Sequence, residues 1–224
     1  MTCIHERKNF FVGLGHPRCG TGFTASLLSL NGLNVGHETV QKNGIVSWML
    51  PGEKYRNPFY DAIGPLAAFP NIFCIARAPL SAIFSIIPEN RVHPSYSFRR
   101  VIIQQKFGQD YLGGESVNAE IMHAVVSYTL WFELCLSFNP SLIYRIEQVA
   151  DDELLSNFVG QQIVRNEKVE RNSRPGRRDN SFSQNDLRHI PKEWLFRLAA
   201  VTRRLGYDED AAIVEEYSHQ LSIT

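Results

Sequence analysis

The sequence predicts an α/β protein of three layers, helix, sheet and helix, around a mostly parallel central sheet. Three observations carry that reading. Short apolar runs closed by turn residues recur along the chain, at residues 10–14, 72–76 and 141–147. Longer segments between and after them space their apolar residues as helices do. A glycine-rich turn joins the first run directly to the first helical segment. Continuous apolar runs of this length read as strands buried on both faces, as in parallel sheets covered by helices. At 224 residues the chain suits one α/β domain with a full core, spanning residues 1–224.

In order, residues 10–14 are a central strand, and residues 21–30 a helix with Phe23, Leu27, Leu28 and Leu30 at helical spacing and Gly32 as its stop. A short strand precedes His37. Residues 72–76, "IFCIA", are a buried strand ending in Arg77, and "SAIFSII" after it is helical despite its β-branched residues. Residues 117–138 form a long apolar helix and residues 141–147 another strand. Residues 191–207 are an amphipathic helix with Pro191 at its start and Gly206 near its end. Two stretches fall outside this rhythm. Residues 88–115 read as an excursion over the active face, and the basic residues 165–185 as a mobile surface loop or a lid.

Composition excludes several classes. Lys+Arg and Asp+Glu number 23 each, and this neutrality argues against nucleic-acid binding, so any anion site is local. Cys3, Cys19, Cys74 and Cys135 lie far apart without metal-ligand spacing; reduced thiols, a cytoplasmic setting and no metal site are expected. The N-terminus is polar, with no signal peptide in view. The apolar run 123–138 is too short to span a membrane and contains Glu133, so it reads as a buried helix.

The chemistry centres on "GHPRCGT", residues 15–21. Gly15 and Gly20 have the separation of a nucleoside-triphosphate loop, but Thr21 stands where such a loop has its lysine. Without that lysine the site lacks the charge and metal anchor for a triphosphate. A turn remains whose backbone N–H groups and helix N-terminus cradle one anionic group, with Arg18 and the Thr21 hydroxyl beside it.

"GHPRCGTGF" resembles the 5′-phosphosulfate loop of the sulfotransferases that use 3′-phosphoadenosine 5′-phosphosulfate (PAPS), usually Pro-[Lys/Arg]-Ser-Gly-Thr-Thr-Trp. Pro17, Arg18, Gly20 and Thr21 agree; Cys19 replaces the Ser, Gly22 the second Thr, and Phe23 sits where an adenine-stacking aromatic is common. The family reads the 3′-phosphate with Arg-x-Pro-x-x-x-x-x-Ser, and "RAPLSAIFS" places Arg77, Pro79 and Ser85 at that spacing. A strand-ending guanidinium is a bidentate donor for a dianion, and a helix serine adds one more hydrogen bond. "YRIEQVADD" looks like the family's strand-ending segment, which makes Arg145 and Glu147 scaffold residues. "SRPGRRD" resembles the late Arg-x-Gly segment and implicates Arg174 and Gly176, although the Gly-Asp-Trp that follows in the cytosolic enzymes is missing.

The resemblance implies a P-loop-like sulfotransferase architecture, PAPS as cofactor, no metal, and a small-molecule or carbohydrate acceptor. It implies Arg18 at the leaving phosphate and a base for the acceptor hydroxyl. Glu38, just after the short strand, is the first candidate for that base and His37 the second, with His93 and His123 behind them. Ser47 and Trp48 line the acceptor pocket or belong to the core, and Tyr96, Phe98, Arg99, Arg100 and Lys106 contact the acceptor or cap it as a helix. Oligomeric state stays open between monomer and homodimer. The competing readings are a P-loop kinase with a degenerate loop and a non-catalytic nucleotide-binding protein of the same fold.

Overall fold

The computed structural model describes residues 9–52, 57–92, 94–108, 117–165 and 183–220. The sequence reads as one domain; the fold resolves into two compact units, Met1–Arg77 with Leu134–Ser173, and Ala78–Glu133 with Arg174–Thr224.

The first unit holds the sheet. Among the described residues five strands pair in parallel: β1 (Phe11–Gly15), β2 (Val35–His37), β3 (Gly44–Ser47), β4 (Ile72–Ala76) and β5 (Leu142–Arg145), in the order β2-β3-β1-β4-β5. Side chains alternate across the pleat. One face carries Phe11, Val46, Phe73, Ile75 and Tyr144. Against it pack Leu27 and Leu28 of α1 (Thr21–Leu30) and Leu155 and Val159 of the helix Asp151–Val159. Each fully buried leucine there contributes about 2 kcal/mol. Phe158 wedges between Phe11 and Phe73, its ring centroid 5.7 and 5.5 Å from theirs. Gly13 of β1 faces the same core, and a Cβ there would lie 2.7 Å from Val46 Cγ2 and 2.8 Å from Phe73 Cζ. Only glycine lets those larger neighbours close over the central strand.

The opposite face buries Val12, Leu14, Ile45, Cys74 and Ala76. Cys135, in the last turn of the helix Val117–Leu136, hydrogen-bonds with Cys74 there and supplies the third layer. Burial, and then that neighbouring thiol, push the Cys135 thiol well above its ordinary range, and Cys19, Cys74 and Cys135 are all buried and in no disulfide. Between β3 and β4 run two 3₁₀ turns, Leu50–Gly52 and Leu66–Ala68, and the short α2 (Tyr60–Ile63). Trp48 is buried, and the Ser47 hydroxyl accepts from the Met49 N–H at 3.1 Å.

The second unit is helical: α3 (Pro79–Val92), α4 (Ser95–Phe107), most of α5 (Val117–Leu136), a 3₁₀ stretch Gln184–His189, α7 (Lys192–Arg204) and α8 (Asp208–Gln220), the helix Asp151–Val159 of the first unit being α6. The described part of residues 88–115 is largely helical, the form of the cap that the sequence left open. Arg99, expected to face an acceptor, is fully buried and donates to Ser127 Oγ (2.9 Å), Ser95 Oγ (3.0 Å) and Asn90 Oδ1 (2.6 Å). A buried guanidinium is tolerable only with its donors satisfied, and these bonds lock α3, α4 and α5 to one another. Tyr96 lies against His123 and Phe98 against Trp131, with centroids 5.9 and 6.3 Å apart. On α7, Arg197 forms a two-pronged pair with Glu133, and Arg203 another with Glu215 of α8.

Candidate functional site

The chain leaves β1 toward β2 and β3 on one side, and later reaches β4 and β5 on the other, so strand order reverses at β1. In open α/β sheets ligands bind at the carboxyl ends of the strands beside such a reversal. Here that place is occupied by the loop from His16 to Gly20. Its first turn closes with Cys19 N–H donating to the His16 carbonyl at 3.0 Å, while His16 Nδ1–H donates to the Pro17 carbonyl at 2.6 Å. Arg18 is left-handed (φ 70°), and so is Gly20 (φ 92°), the N-cap of α1. Gly20 must be glycine twice over, because a Cβ would also strike Ile146 Cδ1 at 2.7 Å.

No side chain caps α1 and no acidic residue lies in its first turn. The Gly20 carbonyl takes both the Thr24 N–H (2.9 Å) and the Thr24 hydroxyl (3.0 Å). The N–H groups of Thr21, Gly22 and Phe23 have no intrahelical acceptor, and they sit at the positive end of the helix dipole. That is an anion cradle made of main chain.

Two further strand ends converge on it. Arg77, the first residue after β4, donates from Nη1 to the Arg18 carbonyl at 3.2 Å, and its Nε lies 3.7 Å from Glu147 Oε1, just beyond β5. From the other side His37, the last residue of β2, brings Nε2 to 3.3 Å from Thr21 Oγ1 and 3.6 Å from Glu38 Oε1. Glu38 is itself left-handed (φ 51°), with its N–H on the Val46 carbonyl at 3.0 Å. Beside His37 a groove of about 370 Å³ runs between α1 and β2, walled by Gly22, Ser26, Ser29 and Val35.

No protein-family model, no curated protein and no solved structure matches this chain. What it does must be argued from these groups alone.

Arg18, Thr21, Gly22, His37, Glu38 and Arg77, all expected at one site, stand together. Others do not fit their expected roles. Pro17 is buried and has no N–H, and its carbonyl already accepts from His16. The Cys19 side chain is fully buried and its N–H is committed to His16, so neither group points at a ligand. Phe23 packs against the core, and the Arg165 guanidinium lies over its ring at 5.4 Å, where an adenine was expected. Ser85 lies on α3 in the second unit. His93, Arg174 and Gly176, with most of the 165–185 segment, lie outside the described residues.

Arg145 is the scaffold residue expected: it grips the Asp151 carboxylate through Nε, Nη2 and its own N–H at 2.8–2.9 Å. Glu147, expected to be scaffold too, instead touches Arg77. Ile146 against Gly20, Glu147 and Arg165 are the neighbours that sequence reasoning missed. A signal existed for Glu147: it lies two residues past the end of β5, and carboxyl-end residues gather at such a site. Among the described residues no group of three or more His, Cys, Asp and Glu could hold a metal ion, and no helix is long and apolar enough to cross a membrane.

Proposed function

We propose that this protein is a PAPS-dependent sulfotransferase that moves a sulfuryl group to the hydroxyl of a small-molecule or carbohydrate acceptor in the cytoplasm. The observation that carries the reading is the uncapped N-terminus of α1 with Arg77 docked on the loop that precedes it. An anion cradle with arginines and no lysine suits a phosphosulfate better than a metal-bound triphosphate. That preference sets the degenerate-kinase reading aside.

PAPS supplies an activated sulfuryl group whose bond to the bridging oxygen breaks as the acceptor oxygen bonds to sulfur, the electron pair leaving with adenosine 3′,5′-bisphosphate. The main-chain donors of Thr21, Gly22 and Phe23 hold the 5′-phosphate. Arg18 offsets the charge that develops on it, a task for positioned donors rather than covalent chemistry. Arg77 reads the 3′-phosphate. The acceptor enters along the α1/β2 groove, and Glu38 takes its proton with His37 in contact beside it.

Calorimetry with adenosine 3′,5′-bisphosphate and with ATP–Mg²⁺ tests the cofactor. The bisphosphate is expected to bind more tightly, and Arg18→Ala and Arg77→Ala each to weaken it by about 10- to 100-fold, the worth of a charge-assisted hydrogen bond. Tighter ATP binding, or indifference to both substitutions, overturns the assignment. Transfer of labelled sulfate from PAPS to a panel of alcohols and sugars then separates an enzyme from a non-catalytic binder.

A further inference from the structure

We infer that Arg165 is a positioning residue for the anion loop, acting through the turn that follows β5. Its guanidinium brackets that turn, with Nη1 donating to the Ile146 carbonyl at 2.8 Å and Nη2 reaching the Gln148 carbonyl at 3.4 Å. The same fork is anchored on Asp152 of α6, from Nε at 2.6 Å and Nη2 at 2.9 Å, and Nη2 also meets the Tyr144 hydroxyl at 3.2 Å. Over its flat face lies Phe23, in the first turn of α1.

What the bracketed turn carries gives this its meaning. Ile146 is the side chain seated against Gly20, and Glu147, between the two gripped carbonyls, is the carboxylate beside Arg77. Arg77 in turn donates to the Arg18 carbonyl. A continuous path therefore runs from Asp152 through Arg165 and residues 146–148 to both sides of the loop. Lysine cannot replace this arginine: one ammonium has no planar fork to span a carboxylate, two carbonyls and an aromatic face together.

The inference rests on the proposed reading only for its ligand, so the test has one readout with a ligand and one without. Arg165→Lys is compared with wild type by hydrogen exchange of the Cys19 and Thr24 amides, which are bonded to the His16 and Gly20 carbonyls, by affinity for adenosine 3′,5′-bisphosphate, and by thermal melting. The expected result is about tenfold faster exchange at Cys19 and Thr24 with the Leu155 amide of α6 unchanged, and about tenfold weaker binding. In an Arg77→Ala background the same change should cost less than it does in wild type, because one of its two routes to the loop, through Glu147 and Arg77, is already gone. Asp152→Asn, which removes the anchor and keeps its shape, should reproduce the faster exchange. A lower melting temperature with unchanged loop exchange, or affinity losses that simply multiply with Arg77→Ala, overturns the inference. If wild type fails to bind the bisphosphate while loop exchange still quickens in Arg165→Lys, the cofactor assignment falls and the role of Arg165 stands.

Discussion

Among the described residues three non-glycine positions have positive φ: Arg18 at 70°, Glu38 at 51° and Asn139 at 50°. Asparagine tolerates this region through local hydrogen bonding, whereas arginine and glutamate give up about 1–2 kcal/mol each to occupy it. Both strained residues are ones the proposed chemistry uses, and that coincidence makes a measurable trade. Glu38→Gly is expected to raise stability by about 1 kcal/mol in urea unfolding while sulfate transfer is lost. Glu38→Gln keeps the strain, so it should melt like wild type and bind the bisphosphate normally, yet transfer at least about 100-fold more slowly. Full transfer by Glu38→Gln moves the base to His37. Gly20→Ala tests the loop from the other direction. Its Cβ meets Ile146 at 2.7 Å with φ at 92°, and a loss of about 2–3 kcal/mol together with loss of anion binding is expected.

Elements were legible where one force dominated. β1, β4 and β5 are apolar runs closed by turns, and their positions follow directly from the pattern, as does α7 from its apolar stripe. β3, "GIVS", was missed as a strand because it holds only two apolar residues, Ile45 and Val46, between a glycine and a serine, too short a run to stand out from the segment around Trp48 and Pro51. α4 stayed open between acceptor contacts and a helical cap because Arg99 is buried by hydrogen bonds that no hydrophobic period reveals. The loop of the site could be read from residue types at fixed spacing, but its wall at residues 146–148 depends on strand neighbours distant in sequence. That wall is held by the start of α6. Burial pushes the Asp151 carboxyl up, but the bonds it accepts from the Arg145 side chain and N–H outweigh this, and its net shift is downward. A carboxylate lowered in the folded state stabilises above its unfolded value, and that contribution is lost as pH falls through the folded one. Stability should therefore decline on acidification below about pH 4, and Asp151→Asn should flatten that decline while lowering stability at pH 7. An unchanged acid limb in the variant would mean that other carboxylates govern it.

At the scale of the whole chain, positive and negative charges balance at 23 each, so anion recognition has to come from geometry rather than from a field. A polyanion needs a stripe of basic side chains whose counterion release drives binding, and a balanced chain provides little of it. A single nucleotide needs only donors converging on one point, the task proposed here for the first turn of α1, Arg18 and Arg77. The two requirements separate in a competition experiment. A single-stranded oligonucleotide at about physiological salt should fail to displace adenosine 3′,5′-bisphosphate at concentrations up to about 100 μM, beyond the range of ordinary non-specific nucleic-acid binders. Displacement at micromolar concentration, with affinity falling steeply as salt rises, would instead assign the loop to a larger basic surface.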